Sequence, residues 1–407
     1  MKILLNLHKL KIGGAQLVAI RLAGALRERG HETVLYGPPG ALTELAIARG
    51  LRFIPQTVLR GHGPSLRAAK AIREVAREER VDLVHASGHS VCLEAFYATY
   101  LLGGMPLVCS IRGAEAVPRP FPKSLPIIFA HRYIAEAARQ SGFQRVHLIR
   151  PPVDIEAESP AVDASSFREQ HDLDGGHHNV VIVSRMAEKA KLDGLRMAID
   201  AIELLADEFP ARLILVGDGI AYDRVRERAE GVNSRLGRRA VVLTGVMLDP
   251  RPAYAAADVV VGMQGSILRG MAFQKPAVVL GEQGFSEIVT PASRDEFLWK
   301  GFYGIGDGDL SPRLLADQLR TLLANEGLRD HLGRFGRELV SEHASLSAAA
   351  DELEGLYRSV VEAPPSLGQR LSAAGRFAGA VLYARGRTVL FPRETLQARR
   401  IAAWRQS

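Results

Sequence analysis

The sequence predicts an α/β protein built from two doubly wound parallel-sheet domains, and three features of its 407 residues indicate this class. Short apolar runs alternate with stretches of helical periodicity, and the alternation starts again after a polar interval near residue 150. The apolar runs are nearly continuous, as expected of parallel strands that are covered on both faces. The length exceeds what one ordinary core accommodates, so two domains are expected.

The composition is that of a folded globular protein, with 47% hydrophobic and 24% charged residues. Two cysteines, Cys92 and Cys109, are too few for a disulfide framework or a zinc site, and we expect them to be buried. No apolar run reaches the roughly 18 residues that a spanning helix needs, and the chain turns polar at Asn6, too early for a signal peptide. A cytoplasmic protein is expected.

The first predicted domain covers residues 1–150. The strand KILLNL is followed by a helix in AQLVAIRLAGALRERG, which Gly30 ends, and by a second strand. Further along, the helix LRAAKAIREVAREER precedes the strand VDLVHAS, and the helix VCLEAFYATYLL precedes the strand PLVCSI. Repeated strand–helix–strand units of this kind are typical of a parallel sheet.

The second predicted domain covers residues 151–345, after a polar stretch rich in Pro, Gly and Ser that marks the boundary. Its predicted strands are VVIVS, RLILVGDG, AVVLTG, ADVVVG and PAVVLG, with helices between them. We expect two Rossmann-like domains that face a cleft, because ligands of open α/β sheets bind outside the carboxyl ends of the strands. Residues 346–407 are predicted to form a closing helix and a basic tail.

The loop after VVIVS concentrates positive charge where a strand leads into a helix. Arg185 begins this loop, and Lys191 lies just before the helix predicted to start near Asp193. Two fixed cations beside the free N–H groups of a helix terminus predict a site for a diphosphate. The alternative is a solvated charged loop, to which Lys189 is assigned.

Small residues suggest further phosphate contacts in two other loops. Gly265 and Ser266 lie between the strand ADVVVG and a helix, where backbone N–H groups can approach an anion; a plain N-cap at Ser266 is the alternative. Gly13 and Gly14 end the first strand-to-helix loop, where a tight turn explains them equally well.

Nine fragments, taken in order, resemble the retaining glycosyltransferases of the GT-B fold in the group called family four. The fragments are IGGAQLVAIRLAGALRERGHE, VDLVHA, IRPPVD, VSRMAEKAKLDGL, LILVGDG, VVLTGV, YAAADVVVG, LRGMAFQKPAVV and GFSEIV. The resemblance covers about residues 1 to 362.

The resemblance implies roles for individual residues. Arg185 and Lys191 match the pair that binds the diphosphate of a nucleotide-sugar, and Gly13 and Gly14 match the loop that faces the donor phosphate and the acceptor. The donor-binding candidates are Gly13, Gly14, Gly217, Gly219, Gly265, Ser266, Arg269, Glu282 and Glu287. Glu287, with Gly284, falls in the segment that family members use as a Gly-Gly-x-x-Glu loop.

This chain also departs from the family pattern. Arg269 stands where a glutamate usually contacts the ribose, and Gln264 to Ser266 offer no acid for the donor sugar. Arg112 stands where a histidine often follows the fifth strand. The chain therefore resembles a divergent subgroup without the two-glutamate signature, in which Arg112 and Arg269 add positive charge to the cleft.

Other titratable residues are predicted at the ends of strands. They are His85, His89, Glu115, Glu282 and Glu287. Each has the alternative of a hydrogen-bonded loop residue. Glu282 and Glu287 are the candidates to replace the missing glutamates.

The resemblance implies a nucleotide-sugar-dependent hexosyltransferase that acts with retention on a glycan, a lipid-linked or a small-molecule acceptor in envelope polysaccharide or glycoconjugate biosynthesis. Arg185, Lys191 and Arg112 are the expected catalytic residues, since stabilising a departing diphosphate is electrostatic work. No cofactor or metal is expected. The alternatives are a catalytically silent GT-B scaffold subunit and, third, a sugar-nucleotide epimerase.

Residues 363–407 contain eight arginines, no lysine and one acid, so this tail carries the whole net charge of +7. Arginines interleaved with apolar residues predict contact with an anionic membrane at the inner face of the plasma membrane. A helix packed across the first domain is the alternative. Nucleic acid is not an expected partner, because no recognised binding module accompanies the charge.

Overall fold

The computed structural model describes residues 1–58, 65–113, 120–173, 176–188 and 191–390, except for the side chains of residues 380 and 382–390. The chain forms two compact units. One comprises Met1–Pro152 and the segment from Leu346 onward, and the other comprises Val153–Ser345. The first division therefore lies two residues beyond the predicted one, and the closing helix is part of the first unit.

The first unit contains a parallel sheet of seven strands in the order β3-β2-β1-β4-β5-β6-β7. The strands are β1 (Lys2–Leu7), β2 (Glu32–Gly37), β3 (Arg52–Pro55), β4 (Leu83–Ser87), β5 (Leu107–Ile111), β6 (Pro126–Phe129) and β7 (Arg145–Leu148). Ile3 of β1 is registered with Thr33 on one side and Leu83 on the other. The buried apolar runs form the central strands because both of their faces are covered.

Helices cover this sheet. They are α1 (Gly14–Glu28), α2 (Thr43–Ala48), α3 (Leu66–Glu78), α4 (His89–Ala95), a π-helical turn (Phe96–Leu101), α5 (Arg132–Gln140), α14 (Leu346–Glu362) and α15 (Leu367–Leu390). The predicted stop at Gly30 is confirmed, since α1 ends just before it and Gly30 has a φ of +82°. The single predicted helix VCLEAFYATYLL is instead α4 followed by the π-helical turn.

The second unit contains a sheet of six strands in the order β10-β9-β8-β11-β12-β13. The strands are β8 (His178–Val183), β9 (Ala211–Val216), β10 (Val241–Gly245), β11 (Val259–Gly262), β12 (Ala277–Leu280) and β13 (Ser286–Ile288). The first five are parallel, and β13 is an antiparallel edge strand. Both sheets are therefore doubly wound, as the sequence predicts.

Helices pack on both faces of the second sheet. They are α6 (Ser165–His171), α7 (Leu192–Leu204), α8 (Tyr222–Leu236), α9 (Arg251–Ala255), α10 (Gly265–Ala272), α11 (Arg294–Lys300), α12 (Arg313–Leu323) and α13 (Glu326–His343). One apolar core contains residues of α7, α8 and α12, and a second core contains residues of α9, α10 and α13. The parallel strands are thus buried on both sides.

The closing helix α14 is joined to the core of the first unit by polar and apolar contacts. Its Leu353 and Tyr357 belong to the same apolar core as β1 and α1. The Tyr357 hydroxyl lies 2.5 Å from Nδ1 of His85, and Nε2 of His85 lies 2.5 Å from the Ser110 hydroxyl. All three side chains are buried, so one imidazole links the closing helix to β4 and β5.

The last helix, α15, begins against the π-helical turn of the first unit. Phe377 is buried, with its ring centroid 5.7 Å from that of Phe96. Arg370 donates a hydrogen bond to the Leu101 carbonyl at 2.9 Å. The start of the basic tail therefore packs on its own unit, in line with the second of the two predictions for this segment.

Two further findings concern burial and helix length. Cys92 and Cys109 are both buried free thiols, as expected. Within the described part of the chain, none of the helices is both long and apolar enough to cross a membrane.

We predict that His85 makes stability fall with acidity. Burial, with a smaller effect from Arg112, lowers the pKa of His85 to about 3, so between about pH 6.5 and 3 the unfolded chain binds a proton that the folded chain does not. The free energy of unfolding should decrease through this window as the pH falls. His85→Gln should flatten that slope by up to about 1.4 kcal/mol per pH unit in urea unfolding.

The exposed His331 supplies the matched control. His331→Gln should leave the slope unchanged. An identical pH dependence in His85→Gln and the native protein would contradict the prediction.

Candidate functional site

The second sheet reverses its direction of winding between β8 and β11. The chain proceeds from β8 outward to β10, and then returns to place β11 on the other side of β8. Ligands of open α/β sheets bind at such a reversal, outside the carboxyl ends of the strands. The loop after β8 carries Arg185, and Gly265 begins the helix that follows β11, so the two predicted anion-binding segments lie on both sides of the reversal.

Backbone contacts hold the loop after β8 against the loop after β9. Met186 N–H donates to the Asp218 carbonyl at 2.9 Å, and Ala221 N–H donates to the Met186 carbonyl at 3.0 Å. A Cβ on Gly217 would lie 2.0 Å from the Ser184 carbonyl oxygen, at a φ of +144°. Gly219, with a φ of +154°, faces the Met186 carbonyl in the same way. These two predicted donor-binding glycines are therefore required by loop packing.

Arg185 and Lys191 occupy the two ends of the loop between β8 and α7. The Arg185 side chain is exposed, and within the described residues it has no ion pair or hydrogen bond. Lys191 is the N-cap residue of α7, and its carbonyl accepts from Leu195 N–H at 3.0 Å. The loop thus begins with one exposed guanidinium and ends with one lysine at the N-terminus of α7, and Asp193 lies in the first turn of that helix.

The N-terminus of α10 differs from the predicted one. The N-cap residue is Gln264, with a φ of +54° and a ψ of −130°, and Ser266 lies inside the helix. The Ser266 hydroxyl donates to the Met263 carbonyl at 2.9 Å, so the alternative of an N-cap at Ser266 is wrong. Gly265 begins the helix, and Gln264 has a left-handed φ that is costly for a residue with a side chain.

Arg269 does not add free positive charge, contrary to the expectation from the sequence. Its Nε donates to Glu158 at 2.6 Å, and both side chains are largely buried, with 12% and 3% of their surfaces exposed. Its guanidinium also lies 5.2 Å from the ring centroid of Tyr254. Although burial lowers it, Glu158 raises the pKa of Arg269 overall. Arg269 is therefore a structural partner of Glu158.

Glu158 was not a candidate from the sequence, because its partner lies 111 residues away. A second arginine fixes the same segment: Arg337 donates to the Glu158 carbonyl at 3.3 Å and to the Ile155 carbonyl at 3.1 Å. It also donates to the Ala272 carbonyl at the end of α10. The segment 155–158 is thus bound to the C-terminal half of α10 through two arginines.

Glu282 and Glu287 lie in different environments. Glu282 follows β12, is buried, and accepts a hydrogen bond from the Tyr303 hydroxyl at 2.5 Å. Glu287 belongs to β13, opposite Val279, rather than to a loop. Burial, together with Glu296, raises the pKa of Glu287, and Lys300 opposes this effect. Of these two glutamates, Glu282 therefore lies in a loop that follows a parallel strand, and Glu287 does not.

A segment that the sequence reading did not use, residues 301–306, fixes two of these loops. Gln264 N–H donates to the Phe302 carbonyl at 2.7 Å, and Glu282 N–H donates to the Gly304 carbonyl at 2.9 Å. A Cβ on Gly304 would lie 2.2 Å from the Phe285 ring. The glycines in GFYGIG are the signal that could have indicated this close packing.

In the first unit, the candidate residues lie around the carboxyl ends of β1, β4 and β5. Gly13 is the N-cap residue of α1 in an extended conformation, and the space beside Gly14 is open, so backbone packing does not require Gly14. Arg112 follows β5 and donates to the Ile149 carbonyl at 3.3 Å. His89 begins α4, where burial lowers its pKa against the opposing effect of the Pro120 carbonyl.

Some candidates fall outside the described residues, namely Glu115, Lys189 and the tail beyond residue 390. Over the described ranges, no group of three or more His, Cys, Asp or Glu residues is placed to hold a metal ion. The absence of a metal cofactor stays a prediction.

Comparison with known proteins assigns a class to both units. Residues 12–157 match the family model described as "Glycosyltransferase Family 4", and residues 177–325 match "Glycosyl transferases group 1". The fold matches a glycosyltransferase from Rickettsia africae with a TM-score of 0.69 and 15% identity, over 89% of this chain and 99% of that one. The protein is thus a glycosyltransferase of the GT-B fold.

Two other similar proteins are named for a product or solved with bound molecules. The N-acetyl-alpha-D-glucosaminyl L-malate synthase of Bacillus anthracis is 22% identical over 377 residues, which are 86% of this chain and 95% of that protein. Anabaena HepE, solved with UDP and glucose, has a TM-score of 0.67 and 21% identity, over 88% of this chain and 100% of its own. Both similarities extend over nearly the whole length of the relative.

We predict that breaking the Arg269–Glu158 pair is strongly destabilising. Arg269→Met leaves a buried carboxylate without its partner, which should cost about 3–5 kcal/mol in urea unfolding. Replacing both residues, with Arg269→Met and Glu158→Leu together, removes both charges and should recover most of that loss.

An exposed ion pair in the same unit serves as the control. Arg226 and Asp223 are 3.0 Å apart, with 53% and 87% of their side-chain surfaces exposed, so Arg226→Met should cost less than about 1 kcal/mol. Equal losses from Arg226→Met and Arg269→Met would show that the buried pair has no special importance.

Proposed function

We propose that this glycosyltransferase takes its sugar from a nucleoside diphosphate donor, and that Arg185 and Lys191 bind the diphosphate. The observation that carries the proposal is the exposed guanidinium of Arg185 in the loop that leads from β8 to α7, at the winding reversal of the second sheet. A cation with a forked set of donors and the N–H groups of a helix N-terminus together favour a diphosphate.

The N-terminus of α10 is on the other side of the same reversal. Gly265 begins this eight-residue helix, where a missing side chain lets an anion approach the backbone N–H groups. We assign this end to the second phosphate contact. UDP is the nucleotide bound to HepE, so a uridine nucleotide is the first donor to test.

The proposed chemistry is transfer with retention of the anomeric configuration. The bond between the anomeric carbon and the diphosphate oxygen breaks, the acceptor oxygen bonds to that carbon, and the acceptor proton passes to the departing phosphate. The work of the protein is then to stabilise the developing negative charge, a role that we assign to Arg185 and Lys191. We assign the contact with the donor to Glu282, which follows β12 and accepts a hydrogen bond from the Tyr303 hydroxyl.

The acceptor is a glycan, a lipid-linked molecule or a small molecule. The Bacillus anthracis relative is named for L-malate, a small dicarboxylate. That name favours a small acidic acceptor as the first to be assayed. Retention, the acceptor and a role in envelope polysaccharide or glycoconjugate synthesis all belong to this proposal.

We predict that Arg185→Ala weakens UDP binding by about 10- to 100-fold, since one charge-assisted interaction with a phosphate contributes about 1.5–3 kcal/mol. Titration calorimetry on the full chain measures this directly. Arg196→Ala is the matched control, because Arg196 is an exposed arginine on α7.

The expected result is a loss of affinity in Arg185→Ala and an unchanged dissociation constant in Arg196→Ala. Equal UDP affinity in Arg185→Ala and the native protein would reject Arg185 as the diphosphate ligand. Failure of UDP, GDP, ADP and CMP to bind the folded native protein would reject the donor proposal.

We further propose that the basic tail contacts an anionic membrane surface. The start of α15 leaves Leu367 and Leu371 about 60% exposed, and Arg376 further along the same helix is also exposed. Apolar side chains next to arginines favour a surface with anionic headgroups and an apolar interior.

Flotation with vesicles containing anionic lipid tests this contact. We expect the full chain to float, and a full-length variant with five tail arginines changed to glutamine to float at least about tenfold less, since each basic residue contributes about 1 kcal/mol. The five are Arg385, Arg387, Arg393, Arg399 and Arg400. Equal flotation of both proteins would refute the role of the tail.

A further inference from the structure

Three exposed leucines lie on two neighbouring elements of the first unit. Leu102 follows the π-helical turn, and Leu367 and Leu371 lie on α15, which packs against that turn. Their exposed fractions are 63%, 61% and 59%. Arg370, which stands between the two leucines of α15, donates to the Leu101 carbonyl at 2.9 Å, so this part of α15 lies beside the end of the turn. Exposed large apolar side chains grouped in this way indicate an interaction surface.

Four arginines surround the same turn. Arg73 of α3 donates to the Leu102 carbonyl at 3.3 Å. Burial raises the pKa of Tyr100 within the turn, and the charges of three nearby arginines oppose this rise. These three are Arg145, Arg370 and Arg376. Cations from α3, β7 and α15 therefore converge on the segment that carries Leu102.

The positive charge at the turn is not cancelled by carboxylates. In the part of the chain that the structure describes, none of the four arginines forms an ion pair. Arg73 and Arg370 donate to backbone carbonyls, and the Nε atom of each is buried without a hydrogen-bond partner. The neighbouring acid Glu74 lies 3.7 Å from Lys70. Other arginines of this unit do pair with acids, namely Arg29, Arg52, Arg139 and Arg358.

This leucine–arginine surface, formed by the three leucines and the four arginines around them, lies away from the candidate residues of the first unit. Leu102 precedes β5 and Arg145 begins β7, so the surface is near the amino ends of these parallel strands. The candidate residues lie at the carboxyl ends. The chain beyond Arg376 carries six more arginines, so the basic tail continues directly from this surface.

We infer that the leucine–arginine surface binds a bilayer that contains anionic lipid. Guanidinium groups donate hydrogen bonds to headgroup phosphates, and the leucines enter the boundary between headgroups and acyl chains. A nucleic acid would engage the arginines but leave the leucines in water, so the combination favours a bilayer. The inference rests on the proposed membrane contact of the tail for its partner. It adds that folded residues of the first unit form part of the contact.

The test measures sedimentation of the full chain with vesicles of phosphatidylcholine and phosphatidylglycerol. The test variant combines Leu371→Ser with Arg376→Gln, and both side chains are exposed, so the fold should persist. The matched control combines Leu314→Ser with Arg313→Gln in the second unit. Leu314 is 52% exposed and follows the exposed Arg313 at the start of α12.

We expect the native chain and the control variant to bind these vesicles equally, and the test variant to bind at least about tenfold more weakly. Vesicles of phosphatidylcholine alone should bind the native chain weakly. Equal vesicle binding by the test variant and the native chain would overturn the inference. Binding of the native chain to duplex DNA but not to the vesicles would assign the surface to another polyanion and would also overturn it.

The inference and the proposed tail contact fail in different ways. The variant with five tail arginines changed to glutamine is measured beside the test variant. If only the tail variant loses vesicle binding, the surface is refuted and the tail contact stands. If only the test variant loses it, the tail contact is refuted and the surface stands. If the native chain does not bind, both are refuted.

A second measurement locates the contact without relying on affinity. Cys92 and Cys109 are buried, so a fluorophore sensitive to polarity can be attached to Leu102→Cys in the full chain. We expect its emission to shift to shorter wavelength on anionic vesicles and to be quenched by nitroxide-labelled acyl chains. The same label at Leu314→Cys should show neither change. Unchanged emission at residue 102 in the presence of bound vesicles would overturn the inference.

Discussion

The close backbone packing of the loops after β8 and β9 is the constraint on which the proposed donor site depends. Gly217 and Gly219 approach the Ser184 and Met186 carbonyls so closely that a side chain at either position would collide. Hydrogen bonds between the two loops then fix Arg185, which lies between Ser184 and Met186. Under the proposed function, this fixed backbone reduces the reorganisation that Arg185 needs in order to stabilise a departing diphosphate.

Two arginines stand where the family pattern has other residues, and the structure gives them opposite surroundings. Arg269 is neutralised by Glu158 and shielded by Tyr254, so the positive charge predicted there is cancelled within its own unit. Arg112 has a carbonyl, an imidazole and hydroxyls around it, and no carboxylate among the described residues. The same substitution to arginine therefore forms a buried ion pair at one position and has only neutral partners among the described residues at the other.

Much of the fold could be predicted from the sequence because buried parallel strands are continuous apolar runs, as in VVIVS and VDLVHAS. The short edge strand β13 has no such run, so Glu287 could not be recognised as a strand residue. Arg185 and Lys191 could be proposed from the sequence because their positions relative to β8 and α7 follow from a local pattern. The Arg269–Glu158 pair and the Tyr357–His85 contact join residues 111 and 272 positions apart, and nothing in a local pattern indicates such partners.

The segment 301–306 links the loops after β11 and β12 into one rigid group. Phe302 binds the backbone of Gln264 before α10, and Gly304 binds the backbone of Glu282 after β12. Gln264 and Phe302 both have left-handed φ values of 54° and 56°, a conformation that persists only where neighbouring contacts enforce it. The helix N-terminus assigned to a phosphate and the acid assigned to the donor are thus positioned by the same six residues. A change in this segment should therefore alter both contacts together, which separates its role from that of Arg185.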